Sequence, residues 1–497
     1  MSISPVGFTS NSLVQQITSM REQLAAMEKQ LGTGLKADTY GGLGQDRGLD
    51  IAFRQKLGQV TSFQSTIQVV DLRLNLMDDV FTGLTDMRHE TKNTIDPNDF
   101  VIAADGQSNA QRATRITLQE VIGMLNTEVA GRHLFSGRTV ETEPVVTADL
   151  ILEGDGTHAG LTQVIDERWQ ADNGATGLGR LEISRTGTAV TLNEDVAGSP
   201  FGIKLDGVNS GLSNVTVTGP TGSPLALDVD FTGQPGPGET ITVHVTLPDG
   251  TTSEIKLEAS ATGTGDGLFE IGATPTDTAT NFETALNQAV SDHAATELRA
   301  ASAMAAGEDF FNTFQGNPPQ RVDGPPFDTA TALRDGSADT VQWYVGDNDA
   351  SDPRSGVAAR VDTSLTVGYG VRANEEGLRW MVQTMAVFSA ESFTPDDATD
   401  AQRYEALADR ARAALDVPSN VQSLEQIHME IAGIHQAVDG ANDRHTSASG
   451  MLTGLVEEIE GVDLEEVAAS MITLQTRMQA TYQATSMLLN LSLTNYI

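Results

Sequence analysis

The sequence predicts an α+β protein in which long helices from both chain ends pair as a coiled-coil-like bundle, with a β-rich region inserted between them. Two observations predict this plan. Near both ends, apolar residues recur every three or four positions, as on one face of a helix, whereas in the middle they alternate with polar residues, as in a strand. The predicted boundaries are residues 1–135 for the first helical part, 136–369 for the inserted β-rich outer domain or domains, and 370–497 for the second helical part.

The N-terminal part carries two heptad-spaced apolar series, separated by a glycine-rich break at residues 40–48. Spacings that alternate between three and four place every member on one face of a helix. The first series is Leu13, Ile17, Met20, Leu24, Met27 and Leu31. The second is Val60, Phe63, Ile67, Val70, Leu74, Met77, Phe81 and Leu84. A break at residues 93–98 contains Pro97, and a further helix is predicted to carry Ile116, Val121, Ile122, Leu125 and Val129.

The middle part has the composition of strands and turns. Residues 240–247 alternate and are rich in β-branched side chains, Asp249-Gly250 supplies a hairpin turn, and residues 253–257 form the predicted return strand. Residues 181–192 and 215–217 have the same pattern. A short helix at residues 281–290 is predicted to pack on these strands, and residues 316–327 form a proline-rich loop.

The C-terminal part is predicted to be helical again, with three apolar series. They are Leu378, Met381, Met385 and Phe388; then Leu424, Ile427, Ile431, Ile434 and Val438; then Leu464, Val467, Met471, Leu474 and Met478. A helix with one apolar face needs a partner for that face, because an isolated apolar stripe would stay exposed to water. Pairing of the two helical ends satisfies this need more simply than three independent domains in a row.

Charge and composition exclude several classes of function. The formal net charge is −38, which disfavours both the phosphate backbone of nucleic acids and an anionic membrane surface. The sequence contains no cysteine, so disulfides and thiolate chemistry are excluded. Residues 1–7 lack the basic and apolar regions of a secretory signal peptide, and we expect export, if it occurs, to use another route.

The sequence offers few candidates for catalysis, so we expect a protein that is not an enzyme and has no cofactor. His89-Glu90 begins like a zinc-protease motif, but Asn93 stands where the second histidine is needed. The glycine cluster at residues 263–267 lacks the Lys-Ser/Thr pair of a phosphate-binding loop. Residues 347–352 could gather oxygen ligands, but they lack the turn glycine and final glutamate of a calcium loop. We therefore predict no catalytic residue and no metal site.

Several segments resemble the flagellin and hook-associated family of bacterial flagella. Residues 27–36, MEKQLGTGLK, are similar to the N-terminal signature of that family, in which a helix ends in a glycine-bearing turn. Residues 131–137, GRHLFSG, followed by Pro144, are similar to the end of its N-terminal helical region, and residues 366–377, TVGYGVRANEEG, to the re-entry into its C-terminal helices. The likeness covers both ends, about half of the chain.

Within that family the chain is most similar to hook–filament junction proteins. The final residues 489–497, LNLSLTNYI, resemble their ending, and neither the Asn- and Asp-Asp-Ala-rich stretch nor the arginine-bearing tail of filament flagellins is present. The chain is long for a junction protein, which places the size of its middle insertion outside the common pattern.

The resemblance implies a secreted structural subunit that a chaperone binds before export and that is exported unfolded. It also implies that the subunit folds fully on contact with copies of itself and with other axial proteins of the flagellum. The implied assembly interface is Leu13, Ile17, Met20, Leu24, Met27, Leu31, Val467, Met471, Leu474, Met478, Leu488 and Leu491. The implied bundle within the subunit is Val60, Phe63, Ile67, Val70, Leu74, Met77, Leu424, Ile427, Ile431 and Ile434.

Other classes remain open at this stage. A flagellin that forms the filament itself is the nearest alternative, and an extracellular adhesin or a β-rich enzyme is a more distant one. An adhesin or enzyme would need a constellation of site residues between residues 136 and 369, and the sequence shows none. A coiled-coil signalling protein would usually have a membrane span and lack a large β-rich insertion.

Overall fold

The computed structural model describes residues 6–494 apart from 264, 417, 419 and 420, and the side chains of residues 12–487 within that range. The fold is mixed helix and sheet, as predicted. The chain divides into two compact units. Unit 1 takes its residues from the stretch up to Asp71, from Arg360–Thr366 and from Gln436 onward, and unit 2 comprises Leu72–Ala359 and Val367–His435.

Unit 1 is built from helices near both chain ends. They are α1 (Val6–Thr33), α2 (Arg47–Thr94), α11 (Leu424–Glu460) and α12 (Leu464–Thr494), where α2 and α11 also supply residues to unit 2. A 3-10 turn at Tyr40–Asp46 leads from the first glycine-rich break into α2. Within this unit α1 packs along α12, and Phe63 of α2 stacks on His445 of α11 with ring centroids 5.3 Å apart.

The helices of unit 2 surround α9 (Glu376–Ala390), most of whose residues are buried. Its helices outside the long α2 and α11 are α3 (Asn109–Leu125), α4 (Ala148–Glu153), α5 (Leu161–Asn173), α6 (Pro275–His293), α7 (Arg299–Phe311), α8 (Pro353–Gly356), α9 (Glu376–Ala390) and α10 (Ala398–Ala414). A π-helical turn, Ala294–Leu298, joins α6 to α7. Helices α3, α7 and α10 all pack against α9.

Two four-stranded sheets in unit 2 share one hydrophobic core. The strands are β1 (Leu181–Thr186), β2 (Ala189–Glu194), β3 (Lys204–Ser210), β4 (Val215–Thr221), β5 (Ala226–Phe231), β6 (Thr240–Thr246), β7 (Thr252–Ser260) and β8 (Leu268–Glu270). Their spatial orders are β1-β2-β5-β4 and β3-β6-β7-β8. All neighbours are antiparallel except β7 and β8. The short strands β9 (Gln320–Val322) and β10 (Leu333–Asp335) pair with each other, and β11 (Ala358–Arg360) and β12 (Thr366–Gly368) lie further along the chain.

The shared core is closed by α6, whose start is fixed by local sequence. Thr274 is the N-cap, its side chain and Asp277 form a capping box, and Pro275 occupies the first turn where its missing N–H costs nothing. From α6, Phe282 and Leu286 belong to the same hydrophobic core as residues of both sheets, among them Leu192 and Val243. The predicted helix at residues 281–290 is therefore confirmed, together with its packing on the strands.

The predicted hairpin at residues 240–257 is also confirmed. Strand β6 pairs with β7 in a register that sets Ile241 opposite Leu257 and Val243 opposite Ile255. At the turn, Gly250 has a φ of 80°, which a residue with a side chain rarely adopts, and its N–H donates to the carbonyl oxygen of Leu247. The strict alternation of buried residues along β6 explains why the sequence pattern was informative here.

Other predictions about local structure were wrong. Helix α3 ends at Leu125, so Val129 lies beyond it, and Ile116 is 58% exposed and does not face the core. Residues 316–327 are not only a loop, because they contain β9. The middle part contains the strands β1 to β12, but it also contains the helices α5 and α7. Helix α7 is buried on nearly all sides and so shows no amphipathic period.

Candidate assembly surface

The predicted assembly residues lie where α1 and α12 face each other. Met20 and Leu474 are buried, each with 8% of its surface exposed. Arg21 Nε donates a hydrogen bond of 3.0 Å to the hydroxyl oxygen of Tyr482, which ties the two helices laterally. The half-buried members are Leu13, Ile17, Leu24, Met27, Val467, Met471 and Met478. Leu31 is exposed, and the side chains of Leu488 and Leu491 lie outside the described residues, as do the last three positions of the ending at residues 489–497.

The bundle residues predicted within the subunit are largely enclosed. Phe63 and Ile434 are half-buried. The buried members are Val60, Ile67, Val70, Leu74, Met77, Leu424, Ile427 and Ile431. They belong to α2 and α11, whose side chains meet in both units: Phe63 on His445 in unit 1, and Phe81 on His428 in unit 2 with ring centroids 5.4 Å apart.

Unit 1 exposes an unusual amount of apolar side chain. Among the described residues, twelve of the eighteen exposed large hydrophobic side chains belong to it, although it holds less than a third of the chain. They are Val14, Leu31, Leu35, Tyr40, Leu49, Ile51, Val69, Met451, Leu464, Ile472, Tyr482 and Met487. Val14 is 61% and Ile472 is 62% exposed. Exposed apolar side chains in this number favour a surface that binds a partner.

Sequence reasoning missed most of these exposed residues. Val14 and Ile472 each sit one position after a member of the predicted seam, Leu13 and Met471, so they fall outside the heptad series. The available signal was their residue type. A β-branched side chain is a weak helix former, and an apolar side chain is unfavourable on the solvent-exposed side of a helix. A search for apolar residues outside the seam would have found them.

The first family-like segment, residues 27–36, forms a joint at the ends of unit 1's helices. Gly34, with a φ of 72°, lets the chain turn after α1. Leu35 then forms a β-bridge with Gly461, the N–H of Lys36 donates to the carbonyl of Glu460 at 2.6 Å, and the N–H of Val462 donates to the carbonyl of Gly34 at 3.0 Å. The turn after α1 is thus fixed to the turn between α11 and α12.

The other two family-like segments meet inside unit 2. Ser136 forms a β-bridge with Arg372, and the N–H of Ala373 donates to the carbonyl of Phe135 at 2.9 Å. Arg372 is completely buried, and its Nη2 lies 3.1 Å from Asp347 Oδ2 and 2.7 Å from Asp349 Oδ1. These segments therefore position Arg372 in an ion-pair network inside unit 2.

Asp347 and Asp349, two of the candidate calcium ligands, belong to this network, and Asp352 is the N-cap of α8. Asp347 also accepts from Arg138 Nε at 2.9 Å, and Asp352 accepts from the N–H of Arg354 at the start of α8. The Ser351 hydroxyl and the Arg372 guanidinium hold the pKa of Asp349 well below its usual range. Arginine side chains therefore already pair with Asp347 and Asp349.

An unfavourable arrangement of charged side chains lies in unit 1, beside the joint formed by residues 27–36. Arg54 Nη2 donates to Glu460 Oε1 at 2.7 Å, and Asp50, which is fully buried, lies 3.4 Å from Arg54 Nε. Neither carboxylate oxygen of Asp50 accepts a hydrogen bond from a described residue. Burial and the neighbouring Glu460 carboxylate raise the pKa of Asp50, and Arg54 only partly opposes this.

We expect Asp50→Asn to stabilise unit 1 at neutral pH. Because the pKa of Asp50 is higher in the folded state, its contribution to stability is fully present below the ordinary aspartate pKa and is lost as the pH rises through the raised value. The variant should therefore unfold at a higher temperature than the wild type at pH 7, and the two should coincide at pH 3. Thermal unfolding followed by circular dichroism at 222 nm measures this.

The matched control is Asp46→Asn, which removes an exposed carboxylate four positions earlier. We expect it to leave the midpoint unchanged at both pH values. A lower midpoint for Asp50→Asn at pH 7 would mean that the ion pair with Arg54 outweighs the cost of burying the charge.

No model of a known protein family matches the sequence, and no curated protein matches it either. None of the helices in the described part of the chain is long and apolar enough to cross a membrane. The geometry of unit 1 is therefore the basis for a functional proposal, together with the resemblance of short segments noted above.

Proposed function

We propose that this protein is a secreted structural subunit of the bacterial flagellum that joins the hook to the filament, and that it is not an enzyme. The observation that carries the proposal is unit 1: helices near both chain ends combine in one unit, and that unit holds twelve of the eighteen exposed large hydrophobic side chains among the described residues. In this proposal the ends pair as an axial bundle, and the β-rich part forms an outer domain.

Polymerisation requires apolar contacts strong enough to overcome charge repulsion. Every subunit carries a net charge of −38, so packed copies repel one another. Fully burying one large apolar side chain contributes about 1.5–3 kcal/mol. Several of the exposed side chains of unit 1, buried together at each contact, supply the free energy that assembly needs. Contacts of this kind between different faces of identical subunits build an open helix.

The partners follow from the same role. The subunit contacts copies of itself, a hook-associated protein on one side and flagellin on the other, and an export chaperone before secretion. A chain without cysteine crosses from a reducing to an oxidising compartment without forming incorrect disulfides, which suits export in an unfolded state. The exposed apolar surface of unit 1 is the part that a chaperone needs to cover.

Deletion of the gene tests the proposal. The expected result is hooks without filaments in electron micrographs, with flagellin released into the medium, and both defects reversed by a plasmid copy. Short or altered filaments on normal hooks would identify a filament subunit, the alternative within the same class. Intact filaments and normal swimming, in a strain with no second copy of the gene, would refute a flagellar role.

A further inference from the structure

An open cavity of about 580 Å3 lies in unit 2, a volume typical of sites for small molecules. It is bounded by the turn of the β6–β7 hairpin, by α5, α7, α9 and α10, and by Pro200 and Pro418. The wall is mainly apolar and includes Met304, Ala305 and Trp380. Trp380 Nε1 donates to the carbonyl of Ala414 at 2.8 Å, so its ring is held in place and offers the cavity an apolar surface.

One side of the cavity carries an uncompensated negative charge. Arg168, only 5% of whose side chain is exposed, lies between two carboxylates: Asp172 Oδ2 at 2.8 Å and Asp309 Oδ2 at 2.5 Å. One guanidinium cannot neutralise two carboxylates, so a charge of about −1 remains in surroundings of low polarity. Burial raises the pKa of Asp309 to about 6, although Arg168 opposes this.

The other acidic groups of the lining also contact arginines. Arg379 is paired with Glu308, and Arg410 is shared between Asp249 Oδ2 at 2.9 Å and Glu297 Oε2 at 2.8 Å. Asp249 Oδ1 additionally accepts from the N–H and hydroxyl of Thr251. Asp309 is different, because its Oδ1 accepts no hydrogen bond from any described residue. Asp309 Oδ1 is therefore free to accept a hydrogen bond from a ligand.

A second polar group in the lining lacks a partner. Gln383 is 98% buried, and its side-chain oxygen accepts from Arg379 Nη1 at 2.9 Å. Its amide nitrogen donates to no other described residue. A ligand in the cavity that accepts this hydrogen bond would give the amide nitrogen a partner. Among the described residues, the cavity thus offers one acidic acceptor, Asp309 Oδ1, and one donor, Gln383 Nε2, that are free to bind a ligand.

We propose that this cavity binds a small organic cation, an ammonium or guanidinium group on an aromatic or aliphatic body, with the charged group on Asp309 Oδ1. The body packs against Trp380 and Met304. The cation supplies the positive charge that Arg168 alone cannot provide, and the net charge of the protein attracts cations to the site. This inference does not depend on the flagellar role.

The test uses the full-length protein and three aromatic probes of similar size: 2-phenylethylammonium, neutral 2-phenylethanol and anionic 3-phenylpropionate. Isothermal titration calorimetry at pH 7.5, with tryptophan fluorescence in parallel, measures their affinities. We expect saturable binding of the ammonium probe, binding of the alcohol at least tenfold weaker, and no binding of the anion.

Asp309→Asn should weaken binding of the ammonium probe at least tenfold and bring its affinity to that of the alcohol. Its fold should survive, because Arg168 keeps Asp172 as a balanced partner. The matched control is Asp206→Asn, which removes an exposed carboxylate on β3 and should change nothing. Ala305→Leu fills the cavity and should abolish binding of the ammonium and alcohol probes. This second variant tests the proposal if Asp309→Asn does not fold.

Equal affinities for the ammonium and alcohol probes would overturn the proposal. Undiminished binding of the ammonium probe to both Asp309→Asn and Ala305→Leu would also overturn the proposal. The absence of saturable binding of this probe to the wild-type protein, up to the probe's solubility limit, would overturn it as well. None of these outcomes bears on assembly, which the gene deletion tests separately.

Discussion

Phe282→Ala is expected to lower the free energy of unfolding of unit 2 by about 3–5 kcal/mol, the range for truncating a buried phenylalanine. Phe282 is 1% exposed, and its ring lies 5.2 Å from the rings of both Phe231 and Phe269. Phe231 belongs to one four-stranded sheet and Phe269 to the other. Removal of the ring therefore leaves a cavity at the point where α6 joins both sheets.

Urea denaturation followed by near-ultraviolet circular dichroism measures the effect. Phe282→Leu keeps most of the volume and should cost well under half as much, whereas Thr280→Ala, on the exposed side of α6, should cost little. A loss below 1 kcal/mol for Phe282→Ala would show that the two sheets do not depend on this contact.

The second large effect concerns assembly. We expect the double variant Val14→Asp with Ile472→Asp to raise the concentration needed for polymerisation at least a hundredfold. Both residues are exposed on unit 1, and loss of two apolar contacts, each contributing about 1.5–3 kcal/mol, with two charges added, accounts for that factor. The monomer should keep its unfolding midpoint, because neither side chain belongs to its core.

Sedimentation of purified subunits, and swimming of cells that carry the variant gene, measure this effect. Gln15→Asp is the matched control, since it adds a charge at a neighbouring exposed position without removing an apolar side chain. Met20→Asp differs in kind: it places a carboxylate between α1 and α12 and should destabilise the monomer itself. Normal polymerisation of the double variant would exclude this face as the subunit contact.

The elements that the sequence predicted well are those with a regular period. Helix α2 keeps one apolar face over many turns, and Ile67, Val70, Leu74 and Met77 are each no more than 2% exposed. The β6–β7 hairpin combines strict alternation with an Asp-Gly turn. In both cases a local pattern and the tertiary environment agree, so the pattern alone was sufficient.

The elements that were missed are those whose environment is not periodic. Helix α7 buries every residue from Ala300 to Gly307 and so is enclosed on all sides there, because its small residues let neighbouring helices approach closely. At Gly307 an added Cβ would lie 2.5 Å from the side chain of Val387 in α9. A helix enclosed all round has no polar face, and the heptad criterion does not detect it.

The ion pairs and the cavity could not be predicted from the sequence, for a different reason. Arg321 pairs with Glu167, 154 positions away, and Arg138 with Asp347, 209 positions away. A single sequence records that an arginine is present and leaves its partner unspecified. The excess negative charge beside Arg168 likewise emerges only once Arg168, Asp172 and Asp309 are seen together.

Unit 2 combines segments that are far apart in the sequence, and this determines how late in synthesis the unit can finish folding. Within unit 2, Gln111 donates to the carbonyl of Phe388, 277 positions later, and Arg88 pairs with Glu425, 337 positions later. A ribosome adding about 5–20 residues per second takes roughly 20–70 s to cover the longer interval. Throughout that time α2 and α3 have no native partners from α9 and α11, so the nascent chain remains open until its last quarter has emerged.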